Sequence, residues 1–477
     1  MNPRVWFPVS QRIHFRPPWL WALALGIVPA IVLILALGVG PAWAEQAVPQ
    51  AIPESKPQDA TPPETKPPES KPEAIPQGFT AESAVAQALE NNPGLAARMS
   101  QARAAAEIPA QVGAWPDPMV RLGDVNVPTE GDPNGDPMTM KEIMVEQRIP
   151  FPGKTAYRSG AARAEAGAAM EMARDARLRL IRDVKVSWWR LFQLERGLEN
   201  VHRNQELLRQ LVQVASTKYK VGKGLQQDVL MAQLELSRML ETELTLKNQW
   251  EREKINFRRL LSLEDSDPVA LAPLQDPKIP PLTPQQEQAL ADALPGGGER
   301  PGLAARRLEL QAAEDRETLA ALEWLPDLTV GLAYAKRPGP MSGMPQPPVR
   351  SVYVGVNLPL YGWKQSAKAS MRGEERLMRE QGLESERDQG EAEGRMALAD
   401  YRRAVQVVEL FSAGILPQAQ QMVASMHGAY QVNKVDFLNL MRAQVTQYNN
   451  ENEYWKAVGE AHQALARLAY AIGKESL

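Results

Sequence analysis

Two hydrophobic periods take turns along this chain, and the whole succession occurs twice. In SVYVGVNLPLY, Val352, Val354, Val356, Leu358 and Leu360 alternate with Ser351, Tyr353, Gly355 and Asn357, so one face is apolar and the other small or polar. LTVGLAYA precedes it across a Gly/Pro-rich stretch, KRPGPMSGMPQPPVR. Earlier, MVRLGDVNV and MKEIMVEQRI flank PTEGDPNGDP, and Ile143, Val145 and Ile149 alternate with Glu142, Met144, Glu146 and Arg148. The pattern predicts two β-hairpins. After each hairpin the period changes to that of a helix, from about Lys154 to Lys218 and from about Lys364 to Ala429, with Pro417 late in the second run. Val184, Trp188, Leu191, Leu194 and Leu198 keep three-to-four spacing. So do Leu438, Met441, Val445, Tyr448, Asn452 and Trp455, which read as a coiled-coil packing seam. At 1.5 Å per residue, about 65 helical residues reach roughly 95 Å, which predicts elongated helices rather than a compact domain.

The two halves also share motifs. NPGLAAR at Asn92–Arg98 returns as RPGLAAR at Arg300–Arg306, and GAWPDP at Gly113–Pro118 is echoed by EWLPDL at Glu323–Leu328. YKVGKGLQQDVLMAQ from Tyr219 returns as YQVNKVDFLNLMRAQ from Tyr430, with Asn433 where the first copy has Gly222. Matches in the same order mark an internal duplication. Each half opens on a helix, after Thr80 and after Thr283, the latter a capping box with Pro at the first helical position. The expected organisation is a signal peptide over 1–44, a Pro-rich linker over 45–78, a first repeat over 79–264, a connector over 265–282 and a second repeat over 283–477.

The N-terminus adds export. Arg4, Arg12 and Arg16 precede WLWALALGIVPAIVLILALGVG, which ends at the small-x-small pattern Ala42-Trp43-Ala44. The run is long enough to span a bilayer as an uncleaved anchor, while Pro29 and the cleavage pattern favour removal. The next stretch repeats Pro with Glu, Lys and Ser, a composition of extended spacers. A net charge of -3, from 54 basic and 57 acidic residues, gives no basic surplus for nucleic acid. With no cysteine there is no disulfide, thiolate metal site, cysteine nucleophile or cysteine lipid anchor.

In an exported helical protein, hairpins with one apolar face suggest a membrane. A spanning strand needs about 9 to 11 residues, and only closed barrels satisfy strand backbone in lipid. Four strands do not close alone. Two chains would pool about eight strands around a filled interior, and three would pool about twelve with room for a channel. A soluble four-stranded sheet beside the helices is the alternative.

Hairpin, long helix, Gly/Asn break and return helix, all appearing twice, resemble the TolC family of outer-membrane efflux channels over Phe79 to Gly473. The resemblance is carried by ALENNPGLAARMSQARAA, EQRIPFPGK, LPDLTVGLAYA and the two copies of Tyr-x-Val-Gly/Asn. Phe151-Pro152-Gly153-Lys154 is most similar to the heavy-metal efflux branch of the CzcC/CusC type. The resemblance implies a mainly α fold with a membrane β-barrel: a homotrimer whose twelve-stranded barrel sits in outer-membrane lipid above a twelve-helix periplasmic tunnel. Such a channel passively exports substrate, heavy-metal cations in this branch, delivered by an inner-membrane pump through a periplasmic adaptor. The helix-to-helix turns matching the family's adaptor-docking positions are Val221, Gly222, Lys223 and Val432, Asn433, Lys434. Gly and Asn suit the left-handed backbone of such a turn; the bland alternative is a pair of C-caps without a partner.

Many members narrow the tunnel entrance with aspartates in the second copy. Here those positions hold Asn439 and Arg442, while the first copy keeps Asp228. The entrance candidates are therefore Tyr219, Asp228, Tyr430, Asn439 and Arg442, through a tyrosine hydrogen bond or an acid–arginine pair. No Ser/His/Asp constellation, metal-ligand spacing or phosphate loop points to an enzyme, a cofactor or a bound metal. Methionines beside the hairpin loops (Met138, Met140, Met144, Met341, Met344) offer thioethers that bind Cu(I) and are equally tolerated as loop residues. A periplasmic coiled-coil adaptor or scaffold held by its N-terminal segment is the rival function, and it leaves the two hairpins unexplained.

Overall fold

The computed structural model describes residues 78–477 apart from 130–137, 265–266, 274–276, 295–299, 338–346 and 433, all within one unit, Ala74–Leu477. The expected signal peptide, nearly all of the linker, Met341, Met344 and Asn433 lie outside the described residues.

The first half begins with α1 (Ala81–Asn91), held at its N-terminus by a Thr80–Ser83 capping box. Asn92 both ends α1 and caps α2 (Pro93–Ala106), its side chain accepting from Leu95 N–H. A short α3 (Ile108–Gly113) leads into strands β1 (Met119–Val125) and β2 (Met140–Ile149). Then α4 (Lys154–Lys220) runs 67 residues unbroken, roughly 100 Å at 1.5 Å per residue, and α5 (Gln226–Leu261) returns. The second half repeats the order with α6 (Pro284–Ala293), α7 (Pro301–Leu322), β3 (Leu328–Lys336), β4 (Val349–Val356), α8 (Gly362–Leu410), α9 (Leu416–Gln431) and α10 (Phe437–Ala471). Thr283 caps α6 in the expected capping box.

The second long helix is broken where the first is not. Pro417 has no N–H to donate and its ring crowds the preceding turn. The chain widens into a π-turn over Phe411–Ile415 just before it, separating α8 from α9. On α10 the packing stripe also differs from the expected seam: Leu438 is exposed, and the buried face runs through Phe437, Leu440, Met441, Gln444 and Tyr448.

The main core surrounds Trp188, fully buried with Phe192, Phe257 and Leu261. Its indole N–H donates to the Phe79 carbonyl at 2.7 Å, and the chain around Leu271, between the repeats, pairs with Phe79 as a parallel bridge. Further along, Asn200, Asn204 and Gln444 form a buried polar layer between α4 and α10. There Gln444 donates to Asn204 at 3.0 Å, and Asn200 to Asn452 at 2.8 Å. Polar layers of this kind fix the register of packed helices.

The strands form one antiparallel sheet in the order β1-β2-β3-β4, so β2 and β3 join the two halves. Two strands are shorter than their alternation suggested. β1 ends at Val125, where Asn126 turns to a positive φ of 58°. β4 ends at Val356: one further in-register bond follows, Asn357 N–H to the Asp327 carbonyl at 3.3 Å, and beyond it Pro359 has no ladder N–H to offer.

Candidate functional site

Pairing assigns the two faces of the sheet without ambiguity, since directly opposed residues share a face. Val120, Val145, Leu332 and Val352 lie in one row across all four strands, and Leu122, Ile143 and Tyr334 lie in the next. These side chains are exposed, Leu122 at 73% and Val352 at 69%. Arg350, opposite Tyr334, ends that second row, and beyond it the same face turns charged, with Asp124 opposite Lys141 and Lys141 opposite Lys336. The other face carries Arg121, Glu142, Met144, Glu146, Gly331, Ala333, Ser351 and Gly355, with an Arg121–Glu146 ion pair at 2.9 Å. Met140 and Met144 lie on this polar face. At the helical end of the sheet, Trp115, Trp324, Tyr361 and Trp363 are all exposed. An apolar band ending in aromatics is how a barrel meets lipid and its headgroup boundary.

Where strands pass into helices, Asp327 is a buried hub. It accepts from Lys154 Nζ at 2.8 Å, Arg148 at 2.7 Å and the Phe151 backbone N–H at 3.0 Å. Lys154 also donates to the Leu325 carbonyl at 2.6 Å. Thus the Arg-Ile-Pro-Phe-Pro-Gly-Lys and Leu-Pro-Asp motifs, far apart in sequence, form a single joint. Sequence reading singled out both motifs and missed their pairing, for which a one-dimensional pattern holds no signal.

At the opposite end of the long helices lie the two turns. After α4, Gly222 takes φ of 71°, Gly222 N–H donates to Tyr219 O at 3.0 Å and Lys223 N–H to Lys218 O at 2.8 Å. This pair of bonds is a Schellman motif with glycine in its left-handed position. The second turn has the same long-loop bond, Lys434 N–H to Ala429 O at 2.9 Å. Gly224 is required by close approach: a Cβ there would stand 2.9 Å from that of Lys218. Val221, Gly222, Lys223, Val432 and Lys434 are all exposed.

The two equivalent tyrosines part company. Tyr219 is 47% exposed and Tyr430 only 6%. The Tyr430 ring packs on Phe437 with centroids 5.5 Å apart, and Lys218 Nζ sits 3.8 Å above it while donating to the Tyr430 carbonyl at 2.7 Å. Burial, and then the nearby Asp228 charge, push the Tyr430 hydroxyl above its usual range. Lys218 therefore ties the two tips together, a role that spacing did not reveal. Asn439 and Arg442 are exposed on α10, and Asp228 is half-buried in the first turn of α5. Asp228 and Arg442 form no ion pair with each other among the described residues.

Long paired helices carrying a sheet with one exposed apolar face are the features of a protein that meets lipid through its strands. The sequence profile of the outer membrane efflux proteins matches residues 84–262 and 298–474, and the chain belongs to that family. It is an outer-membrane protein. Among solved structures, the outer-membrane channel OprN is 16% identical with a TM-score of 0.69, over 82% of this chain and 89% of that one. The outer membrane protein VceC of Vibrio cholerae is 16% identical with a TM-score of 0.68, over 83% and 96%. CusC, a transmembrane channel, is 15% identical with a TM-score of 0.69, over 84% and 97%. At these identities the likeness establishes the fold. No curated protein matches the sequence.

Proposed function

We propose that the chain is the outer-membrane component of a tripartite efflux system. Three copies pool their strands into a barrel and their helices into a periplasmic tunnel, through which substrate from an inner-membrane pump leaves passively. The observation that carries this reading is the exposed apolar row Val120, Val145, Leu332 and Val352, backed by a polar, ion-paired inner face. One sheet of four strands leaves that row to lipid and its own edges unpaired, a state that only pooling with further copies resolves. A periplasmic adaptor docks on the tip turns Val221-Gly222-Lys223 and Val432-Asn433-Lys434, a reading supported by the exposure of Val221, Gly222, Lys223, Val432 and Lys434. Tyr219, Asp228, Asn439 and Arg442 are the proposed entrance residues, a reading supported by the exposure of Tyr219, Asn439 and Arg442, with Tyr430 as a further candidate although it is buried against Phe437. Heavy-metal cations are the proposed cargo, on the strength of the Phe-Pro-Gly-Lys motif at the sheet–helix joint.

Deletion of the gene, with the strain challenged by metal salts, dyes, detergents and antibiotics, tests the cargo. Selective metal sensitivity is expected, and drug sensitivity with unchanged metal tolerance would refute it. The docking reading is tested by Gly222→Pro with Asn433→Pro. Resistance should be lost while oligomers persist in the outer membrane; surviving resistance would remove the turns from the docking site.

A further inference from the structure

Strands β1 and β4 are the edges of the sheet, and the internal repeat specifies what each edge meets. We propose that β4 of one chain pairs antiparallel with β1 of a second copy in one register, Val356 opposite Val120 and Val354 opposite Leu122. This rests on the oligomeric channel reading above and goes beyond it by naming the residues in contact.

The two hairpins correspond pair by pair. Met119–Glu146, Val120–Val145 and Leu122–Ile143 in the first stand where Thr329–Gly355, Val330–Val354 and Leu332–Val352 stand in the second. Asp117 before β1 correspondingly matches Asp327 before β3, and Pro150 after β2 matches Pro359 after β4. With that correspondence, the contact between the halves can be transferred to the contact between chains. Within the chain, Gln147 opposes Val330 and Val145 opposes Leu332. Replacing each residue by its repeat equivalent puts Val356 opposite Val120 and Val354 opposite Leu122.

The faces supply an independent check. Val352, Val354 and Val356 lie on the apolar face, as do Val120 and Leu122. A slip of one residue would set Val354 opposite Arg121 or Gly123 and turn one apolar row onto the polar face, which side-chain alternation forbids. Slips of two keep the faces, and among those the repeat selects one. On the inner face the chosen register puts Tyr353 opposite Gly123. A Cβ added at Gly123 meets nothing within 4 Å, whereas one at Gly331, opposite Tyr353 on its other flank, lies 3.5 Å from the Tyr353 Cβ. Tyr353 would thus lie between two glycines, one from each chain, an arrangement in which an aromatic ring covers the gap that glycine leaves.

The chain has no cysteine, so paired cysteines report on the interface alone. In outer membranes from cells making the full-length protein, Val354→Cys with Leu122→Cys should oxidise to covalently linked chains. Val354→Cys with Val120→Cys, a two-residue slip, should link at least about tenfold less, because diagonal partners lie about 7–8 Å apart. Val145→Cys with Leu332→Cys, opposed within one chain, controls for oxidation. Tyr353→Cys with Gly123→Cys repeats the test on the inner face and covers a failure of the first variant to assemble. Preferential linking of the slipped pair overturns the register and leaves the oligomer standing. No linking by any interchain pair in protein that migrates as a monomer, with the control oxidised, overturns the oligomer as well.

Discussion

The helical body and the sheet treat the same residue types in opposite ways. Around Trp188 the large apolar side chains are sealed from solvent, and alanines such as Ala84, Ala88 and Ala305 are fully buried along the helices. In the sheet, Val120, Leu122, Leu332, Val352 and Val354 stand outward while Ala333 and Ala335 are covered. Apolar surface is withdrawn from water in both regions. The body does so by folding on itself, and the sheet needs a second apolar medium. Removing a side chain should therefore be costly in one region, and adding a charge should be costly in the other.

Trp188→Ala should have the largest effect on folding, about 3–5 kcal/mol, since an indole is lost from a closed core together with its bond to Phe79. A large fall in the unfolding midpoint of the detergent-solubilised protein is expected. A midpoint close to that of the parent would mean that the core around Phe192 and Phe257 is not the keystone of the body. Next in size, Val352→Arg should cost about 2–4 kcal/mol in the bilayer. Its readout is loss of outer-membrane incorporation, while the neighbouring Ser351→Arg, on the opposite face, is incorporated normally. Equal outcomes for the two would erase the distinction between the faces.

The smallest effect is a pH dependence confined to the body. His462 stacks on Trp189 with ring centroids 3.6 Å apart, and burial lowers its pKa from 6.5 to about 4. Between those values the unfolded chain binds a proton that the folded chain refuses, so stability falls as pH drops through that window and the loss levels off below it. Urea midpoints should decline from pH 6.5 to 4, with a shallower slope in His462→Phe, whose ring cannot be protonated. An unchanged slope would show that His462 is not the group responsible.

Much of this was legible in one dimension because it is periodic. The alternation of Val352, Val354 and Val356 locates an apolar strand face, the spacing around Trp188 locates the core stripe, and Gly222 marks a helix reversal. The failures have a common cause. Leu358 and Leu360 continue the alternation past the end of β4, but Pro359 offers the ladder no N–H and Leu360 N–H turns back to the Leu358 carbonyl. Leu438 fits a heptad, yet the buried face of α10 is set by what α4 presents to it, including Asn200 and Asn204. Tyr219 and Tyr430 occupy equivalent places in the repeat, and only the packing of Phe437 and Lys218 tells them apart.

By itself the sequence determined the duplication, the two periods, the tight turns after the long helices and the apolar character of the strands, all of which depend on residues near one another in the chain. Only the tertiary structure decided that β2 pairs with β3, that Asp327 gathers Lys154, Arg148 and Phe151, and that Lys218 reaches across to Tyr430. Those contacts join residues from different halves. Their energies depend on burial and on the geometry of approach, which no local spacing encodes.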